Sequence, residues 1–513
     1  MPEYLAPGVY VEEVSSGIKP IEGVSTSTAG FMGRTERGPI GAHFITSFAD
    51  YQRLYGGFLS ETDYLPDAIK GFYDNGGKRA FVARDVLPDD EDVATADLSG
   101  FTFQAIGPGS WGTRIRVLLV EATLTPIGGP KRLQLWIDYF RNEPGDSYVN
   151  SNSDWKLLKP KQKISRPDSR EVFDNLSNIE GSPNDIMTVV NQRSNLVRIV
   201  GKRADNPAGL SLAKAQSTEE KWTKLDAGEP PPAPKDGTPA RTALQYLEEV
   251  DGISLVIAPD ISKPGDIIGL VTSCERLRDR VVLLPSTLED NEIPNNVNLK
   301  KDTDSSYAAF YHPWIKVSNA GTIKRIPPVG HIAGICARSD IARGVHKAPA
   351  NEVVLGAIDL ETPINKEVQD MLNPLGVNCI RDFRPDGRGI RLWGARTTSS
   401  DAEWKYLNVR RLFLFVEESI DQGTQWAVFE PNSDPTWAAM RRNISNFLTS
   451  VWRSGALLGN TPEEAFFVRC DRTTMTEDDI LNGRLVCVIG IAPVRPAEFV
   501  IIRISQMTAD AQA

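Results

Sequence analysis

Cysteine and histidine are scarce in this sequence, which has five cysteines and four histidines among 513 residues. The cysteines are scattered, odd in number and mostly set in apolar runs, at Cys274, Cys336, Cys379, Cys470 and Cys487. This pattern is typical of reduced, buried thiols rather than of a disulfide framework. The histidines form no His-Glu-x-x-His pattern, and there is no Cys-x-x-Cys pair. We therefore expect no metal site of either kind.

Long apolar runs and an excess of basic residues are also missing. No run approaches the ~18 residues needed to span a bilayer, and the first residues have neither the basic head nor the apolar middle of a signal peptide. We expect no stable membrane insertion. The net charge of −10 argues against a general nucleic-acid binder, and we expect no direct nucleic-acid partner, although this total leaves a local basic patch open.

Sequence signatures of catalysis are absent as well. There is no Gly-x-Ser-x-Gly elbow. The glycines of 107–112 lack the spacing and the lysine of a phosphate-binding loop, so they predict a tight turn before a strand. Adjacent acids cannot converge on one substrate atom from a regular element; such pairs are Glu12-Glu13, Glu417-Glu418 and Glu463-Glu464. We expect a protein that is not an enzyme and needs no cofactor, although such patterns do not test groups brought together only by folding.

Strands and helices alternate in two parts of the chain. The first part predicts a strand over 24–33, helices over 48–55 and 65–74, and a strand over 79–84, with Ser47 capping the first helix. The second part predicts helices over 243–250, 266–278, 327–344 and 364–372, with strands over 253–258, 280–284 and 307–315. This rhythm is typical of an α/β layer with parallel strands. We therefore predict a discontinuous α/β middle domain formed by 23–90 plus 240–375.

The block between these parts has a different pattern. Short alternating runs over 114–120 and 131–137, separated by Gly, Pro, Asn and Asp clusters, predict strands. Residues 226–237 are rich in proline and predict a semi-rigid exposed loop. We predict that 91–239 is a β-rich outer insertion domain.

The following region, 376–490, predicts an α+β domain. Apolar runs over 377–383 and 389–394 flank Arg384–Arg388 and predict a hairpin. Its solvent-exposed face would carry five arginines: Arg381, Arg384, Arg388, Arg391 and Arg396. The alternative is that these arginines form an anion site. A helix follows, with either a capping box over 400–403 or an Asn408 cap. Asp434 predicts the cap of a second helix, and 465–468 and 485–489 predict strands. The fold class is thus α/β and α+β, with several domains.

Both ends of the chain predict short strands with no partner in sequence. Residues 1–22 form a candidate arm with strand residues Val9, Tyr10, Val11 and Val14, and residues 491–513 form a second with Phe499, Val500, Ile501, Ile502 and Ile504. The apolar strand of the C-terminal arm must pair with another strand, and we interpret its partner as another copy of the chain. For the first arm, an edge strand of its own domain explains the pattern equally well. Hinges are predicted at Pro20, Gly23, Pro493 and Pro496.

Two parts of the chain, roughly 1–90 and 240–506, resemble contractile tail sheath proteins. The resemblance is carried at the start by Pro7–Glu13, Gly23–Phe31, Gly38-Pro39 and Ile45–Phe48. Later it is carried by Gly389–Arg396, Asn408–Arg411, Glu417–Ile420, Trp426, Phe429–Pro431, Gly455-Ala456 and Ala492–Phe499. Gly109–Gly112 also looks like a motif of this family.

The resemblance implies a structural subunit of a phage tail, a tailocin or a related contractile injection system. Such subunits polymerise as a metastable helical sheath around an inner tube, with their arms inserted into the C-terminal domains of neighbours as swapped strands. It further implies baseplate, cap and inner tube partners, sister sheath isoforms in some systems, assembly in the cytoplasm of the producing cell, and a final place in a virion tail or tail-like particle. Tube-facing candidates on this basis are Glu463, Glu464 and Arg469.

Two alternatives remain at this point. The alternating segments also fit an α/β nucleotide- or small-molecule-binding enzyme with a cleft near Pro259-Asp260 and Pro285-Ser286. A capsid or tube protein is a third interpretation, which the chain length and the two apolar helical stripes of the C-terminal region disfavour.

Overall fold

The structure is a computed structural model that describes residues 20–58, 60, 62–86, 92–123, 132–142, 167–201, 222–226, 241–292, 303–319 and 321–502. The predicted strand residues Val9, Tyr10, Val11, Val14 and Ile504 lie outside the described residues. So does most of the predicted loop over 226–237. Within the described ranges the chain is a mixed α/β molecule with five sheets.

The first part of the described chain alternates strands and helices as predicted. Its elements are β1 (Ala29–Arg34), β2 (Ala42–Ile45), α1 (Phe48–Tyr55), α2 (Leu65–Asp74) and β3 (Ala80–Asp85). The predicted cap of α1 is confirmed, because the Ser47 hydroxyl accepts a hydrogen bond from the Asp50 amide at 3.1 Å. This bond satisfies one of the amides that the first turn of a helix leaves free.

The next part is rich in strands, also as predicted. Its elements are β4 (Thr95–Leu98), β5 (Phe101–Ala105), β6 (Ile115–Glu121), β7 (Leu133–Tyr139), β8 (Ser169–Leu176), α3 (Ile186–Arg193), β9 (Val197–Val200) and β10 (Thr223–Lys224). They form a four-stranded sheet of order β10-β6-β7-β8 and a three-stranded sheet of order β4-β5-β9.

The alternating rhythm then returns. Its elements are α4 (Ala243–Glu248), β11 (Leu255–Ile257), α5 (Pro264–Leu277), β12 (Val281–Pro285), α6 (Leu288–Glu292), β13 (Ala308–His312), β14 (Ile315–Asn319), β15 (Thr322–Ile326), α7 (Val329–Arg343), β16 (Glu352–Val353), β17 (Ala357–Leu360) and α8 (Lys366–Leu372). The single strand predicted over 307–315 is wrong. The chain forms two strands there, and they belong to different sheets, because Pro313 between them has no amide to donate to a ladder.

The last part contains the two longest helices. Its elements are β18 (Val377–Phe383), β19 (Gly389–Leu392), α9 (Leu407–Thr424), α10 (Asp434–Arg453), α11 (Pro462–Ala465), β20 (Phe466–Arg469), α12 (Glu477–Leu481) and β21 (Val488–Ile491). The hairpin of β18 and β19 is confirmed.

Three boundaries in this last part differ from those predicted. Both predicted starts of α9 are wrong, since it follows Tyr406 without a side-chain cap and the Asn408 amide instead donates to the His346 carbonyl at 2.7 Å. The second helix begins after Ser433 rather than after Asp434. The strand predicted over 485–489 is displaced to Val488–Ile491, where it pairs with β20.

A nine-stranded sheet forms the centre of the molecule, in the order β16-β19-β18-β13-β12-β11-β1-β3-β2. The strands from β3 to β18 pair in parallel, and β2, β19 and β16 add antiparallel strands at the edges. Alternate residues of β11 face opposite layers: Leu255 and Ile257 pack with the layer of α2 and α7, while Val256 packs with that of α4 and α5. This is the layered α/β arrangement that the sequence predicts.

Helices α2 and α7 lie unusually close together on one face of the central sheet. A Cβ added at Gly330 would lie 2.2 Å from the Ala68 carbonyl oxygen, and one at Gly334 would lie 2.4 Å from the Phe72 carbonyl oxygen. Only glycine allows this backbone approach. This close contact between α2 and α7 fixes the position of α7, which contributes Asp340 to the candidate functional site.

The strand-rich part is fastened to the central sheet through Glu36. Its carboxylate accepts hydrogen bonds from Arg141 Nη2 and the Gly57 amide, both at 2.7 Å, and from the Tyr139 hydroxyl at 2.9 Å. Burial acts to raise the pKa of Glu36, but these donors and the charge of Arg141 outweigh burial and lower it. The ionised Glu36 therefore holds the two parts together. The predicted domain boundaries themselves stay a prediction.

Two buried histidines give the fold a dependence on pH. Burial lowers the pKa of both His312 and His331 to about 4. In the unfolded chain both should protonate near pH 6.5. Between these values the unfolded state binds more protons, so the free energy of unfolding falls as the pH falls from 6.5 towards 4.

We expect chemical denaturation at pH 7 and pH 5 to give a loss of about 2 kcal/mol per histidine at the lower pH. His331→Gln removes one of the two groups, so the difference between the two pH values should shrink by that amount, whatever the substitution does to stability at pH 7. An unchanged difference would contradict the assignment.

Candidate functional site

Helix α9 connects the central sheet with both ends of the described chain. Its Arg411 forms an ion pair with Asp340 of α7, with Nη2–Oδ2 and Nη1–Oδ1 distances of 2.5 and 3.0 Å. The two side chains are only 3% and 5% exposed. Burial acts to lower the pKa of the Arg411 guanidinium, but attraction to Asp340 outweighs it and raises the pKa. Arg411 is therefore charged inside the protein.

The N-terminal segment is tied to this pair. Thr26 donates its hydroxyl proton to Asp340 Oδ2 at 2.6 Å, and its carbonyl accepts from Arg411 Nη2 at 2.9 Å. The Val24 amide donates to the Ser419 hydroxyl at 3.1 Å. Residues 24–26 are thereby held along α9.

The N-terminal side of the same segment packs against the last turns of α9. Ile21 is buried with the apolar residues of α9 and α10, and a Cβ at Gly423 would lie 2.6 Å from its Cγ1. The predicted hinge residue Gly23 lies against the Phe415 ring, and Pro20 is exposed. We call Pro20–Thr26 the N-terminal root. The hinge role of Pro20 and Gly23 stays a prediction.

The other end of the described chain approaches the first turn of α9. The Val494 amide donates to the Ala456 carbonyl at 3.1 Å, and the Leu458 amide donates to the Ala492 carbonyl at 2.8 Å. Asn408 of α9 donates to the Val494 carbonyl at 3.4 Å. Pro493, a predicted hinge, forms an isolated bridge with Leu457.

Glu498 is the last residue of this segment that is held by hydrogen bonds to the rest of the described chain. Its carboxylate accepts from Arg396 Nε at 2.7 Å and Nη2 at 2.5 Å, from Asn373 Nδ2 at 3.0 Å and from the Tyr406 hydroxyl at 3.1 Å. Burial acts to raise the pKa of Glu498, but the bonds from Arg396 and Asn373 outweigh it and lower the pKa. We call Ala492–Glu498 the C-terminal root; it includes the predicted hinge Pro496.

Four apolar residues follow the C-terminal root and have almost no cover. Phe499, Val500, Ile501 and Ile502 are 71–80% exposed, and they lie outside any strand. Burying one such side chain fully is worth about 1.5–3 kcal/mol. A consecutive exposed set of this kind marks a contact site for another surface.

The two-stranded sheet of β20 and β21 lies in the C-terminal part. Its register runs from Phe466↔Ile491 to Arg469↔Val488. Among the described residues neither strand has a second partner, and Phe467 and Val488 are exposed on it. The predicted tube-facing residues Glu463, Glu464 and Arg469 are exposed beside this sheet; their role stays a prediction.

The predicted placement of the five arginines needs one correction. Arg384 and Arg388 are exposed, each paired with a nearby acid. Arg396, however, is buried and bound to Glu498 rather than on a wet face. It lies beyond the end of β19, where strand alternation no longer determines which side it faces.

Residues of the cleft predicted for an enzyme make internal contacts. Asp260 accepts from the Tyr64 amide at 2.7 Å, and the Ser286 hydroxyl is bonded to His312 and Asn291. Across the described ranges there is no group of His, Cys, Asp or Glu that could hold a metal ion. The five cysteines are free. None of the helices described is long and apolar enough to cross a bilayer.

Two family profiles match consecutive parts of this chain. The phage tail sheath protein central domain matches residues 265–398, and the phage tail sheath C-terminal domain matches residues 399–507. Residues 265–507 are thus similar to contractile tail sheath proteins. The matched residues include Asp340, Arg396, Arg411 and Glu498.

Curated relatives agree with this similarity. The tail sheath protein of Vibrio phage KVP40 is 26% identical over 190 residues, which cover 36% of this chain and 27% of the relative. A putative prophage major tail sheath protein of Pseudomonas aeruginosa strain UCBPP-PA14 is 26% identical over 274 residues, covering 50% of this chain and 67% of the relative. Across these two relatives the chain spans from about a quarter to two thirds of the relative's length.

Solved structures have the same fold. The helical sheath of the anti-feeding prophage in its contracted state has a TM-score of 0.56 at 24% identity, covering 98% of this chain and 99% of the other. A sheath tail protein from Listeria innocua has a TM-score of 0.56 at 12% identity, covering 92% and 96%. Neither the relatives nor these structures support the alternative of an α/β enzyme.

Sequence reasoning did not identify the polar anchors of the two roots. Arg411 and Asp340, like Arg396 and Glu498, are far apart in the sequence and come together only through packing of α7, α8 and α9. The one available signal was the presence of Arg396, Arg411 and Glu498 within motifs shared with sheath proteins. Their pairing could not be derived from those motifs.

Removing one charge of the buried pair should be costly. Asp340→Asn leaves Arg411 charged without its partner, so we expect the free energy of unfolding to fall by about 3–5 kcal/mol. Asp386→Asn is the control, because its pair with Arg388 is exposed and should contribute below about 1 kcal/mol. Urea denaturation measures both changes, and equal effects of the two variants would contradict a special role for the buried pair.

Proposed function

We propose that this chain is the structural sheath subunit of a contractile tail or contractile injection system. It polymerises as a metastable helical sheath around an inner tube, and contraction of the sheath drives the tube through a target envelope. Its partners are other copies of itself, including sister isoforms where they exist, the inner tube protein, and baseplate and cap proteins. The exposed apolar residues Phe499–Ile502 carry this proposal, together with the similarity to sheath proteins.

The first argument is the energy that pairing releases. A strand added to a sheet gains main-chain hydrogen bonds worth about 0.5–1.5 kcal/mol each, and apolar burial adds to them. The sheet of β20 and β21 has unpaired edges within the described ranges. The arm that begins at Phe499 therefore inserts as a swapped strand beside this sheet in a neighbouring copy.

The second argument is the direction in which the arms leave. The N-terminal root packs near Ser419 and Gly423, whereas the C-terminal root is held near Tyr406 and Asn408. At about 1.5 Å per residue, these ends of α9 lie about 25 Å apart. Arms leaving from opposite ends of one rigid helix favour head-to-tail contacts, which generate open helical polymers rather than closed dimers.

This function needs no catalysis by the subunit. The energy of contraction is stored in the extended assembly and is released as subunits reorient. The hinges at Pro20, Gly23, Pro493 and Pro496 let the subunits turn while the arms stay inserted. The tube-facing surface includes Glu463, Glu464 and Arg469. Assembly takes place in the cytoplasm of the producing cell, and the product is a virion tail or tail-like particle.

Replacing two arm residues tests this proposal. Ile501→Asp together with Ile502→Asp places charges where the swapped strand would be buried, so we expect folded monomers that form no tubes. Negative-stain microscopy and sedimentation measure polymerisation. Ile323→Asp is the control, because Ile323 is also exposed but lies on β15, which pairs with β14 rather than with either root; it should polymerise normally. Tubes formed by the double variant would overturn the role of the arm.

Truncation extends the same test to both arms. Deleting residues 1–14, or residues 497–513, should leave a folded protein that does not polymerise. Circular dichroism and thermal melting establish the fold, and microscopy establishes the assembly state. Sheath-length tubes formed by either truncation would contradict strand exchange by both arms.

A further inference from the structure

We propose that Glu498 is a positioning residue that fixes the direction in which the C-terminal arm leaves the subunit, through its contacts with Arg396, Asn373 and Tyr406. The inference rests on the proposed function, since a direction matters only if the arm enters a neighbour. It also revises the hinge proposed above for this arm: Pro493 and Pro496 lie on the body side of the anchor, so the free arm turns from Phe499 onwards.

The first support is the completeness of the carboxylate's environment. Arg396 binds both oxygens through Nε and Nη2, a bidentate geometry that fixes orientation as well as position. Asn373 donates to Oε1, and the Tyr406 hydroxyl donates to Oε2. Lys405 Nζ lies 3.6 Å from Oε2. Few rotations of Glu498 retain all these contacts.

The second support is that the donors are themselves fixed. The Arg396 side chain is 8% exposed, its amide donates to Asn378 Oδ1 at 2.6 Å, and its Nη1 donates to the Asn373 carbonyl at 2.7 Å. Asn378 in turn donates to the Phe310 carbonyl of β13 at 3.1 Å. A chain of hydrogen bonds thus runs from the middle of the central sheet to the last anchored residue of the arm.

The third support is the abrupt change at the next residue. The side chain of Glu498 is 20% exposed, whereas Phe499 is 71% exposed and has no strand partner. The donors come from three places: the end of α8, the segment after β19 and the residue before α9. A rotation of the central sheet therefore carries the start of the arm with it. Without Glu498 the nearest main-chain tether is the bond between Val494 and Ala456.

Loss of the anchor should thus spare folding and impair the regularity of the polymer. The arm would still enter a neighbour, but from a range of angles. Sheaths would then form with variable twist, and rotation of one subunit would be transmitted poorly to the next.

The test compares the full-length chain with Glu498→Gln, which keeps the side-chain shape, and Glu498→Ala, which removes all contacts. Glu403→Gln is the charge-matched control, since Glu403 is exposed and close to Lys405 in the sequence. Hydrogen exchange of the monomer is followed at the amides of 494–499, and helical order of the tubes is measured by cryo-electron microscopy.

We expect both Glu498 variants to lose less stability than Asp340→Asn, because Glu498 is 20% exposed and its release opens Arg396 to water. They should exchange about tenfold faster at these amides, while the exchange of β20 and β21 is unchanged. Their tubes should lack a single helical twist, and Glu403→Gln should match wild type in every measurement. Unchanged exchange, or tubes as ordered as those of wild type, overturns the proposal. So does a large fall in the melting temperature of both variants, because Glu498 would then be a general stability residue.

The same measurements separate this inference from the function on which it rests. If the wild-type chain forms no tubes under any condition, the sheath function is wrong. Hydrogen exchange of the monomer then still decides whether Glu498 anchors the segment. If wild-type tubes form and are ordered like those of both variants, the function stands and the positioning role is wrong.

Discussion

The buried pair of Arg411 and Asp340 is the interaction on which the arrangement of the chain ends depends. Removing two charges from water is expensive unless each is fully compensated. Here Arg411 and Asp340 satisfy each other and also bind Thr26 of the N-terminal segment. The pair joins three pieces that are distant in sequence: α7 of the central sheet, α9 and the N-terminal root. Burying it requires all three in place, so the N-terminal root is positioned only in the folded subunit.

Helix α9 holds the two roots at different positions along its length. Polar contacts hold each root to the helix, at Ser419 on one side and at Asn408 and Tyr406 on the other. Directional polar bonds thus fix the two roots, whereas burial of the apolar residues beyond Glu498 would be non-directional. In the proposed sheath, this division lets subunits stay in contact while they change orientation.

Much of the fold follows from local sequence. The helices Phe48–Tyr55 and Leu65–Asp74 and the strand Val377–Phe383 were predicted with their observed bounds, because strong turn residues such as Ser47, Gly56 and Asn75 mark their ends. The start of α9 was not predictable, because Tyr406 carries no capping side chain and the helix begins where tertiary contacts place it. The displacement of β21 has the same origin, since its register is set by pairing with β20.

The candidate site was predictable only in part. The exposed apolar run after Glu498 was evident from composition. The pairing of Arg396 with Glu498 was not, because residues beyond the end of β19 have no strand periodicity to indicate which side they face. The sequence pattern predicts the apolar run that needs a partner. The pair of Arg396 and Glu498 that holds the start of this run depends on contacts between distant segments.

The position of the exposed tetrapeptide in the chain also bears on synthesis. A ribosome makes β20, β21 and the buried partners of Glu498 before it makes Phe499–Ile502. This exposed apolar run is therefore translated after β20 and β21, and domains can begin to fold while the chain is still growing. The rest of the C-terminal part can thus start to fold before the run is present.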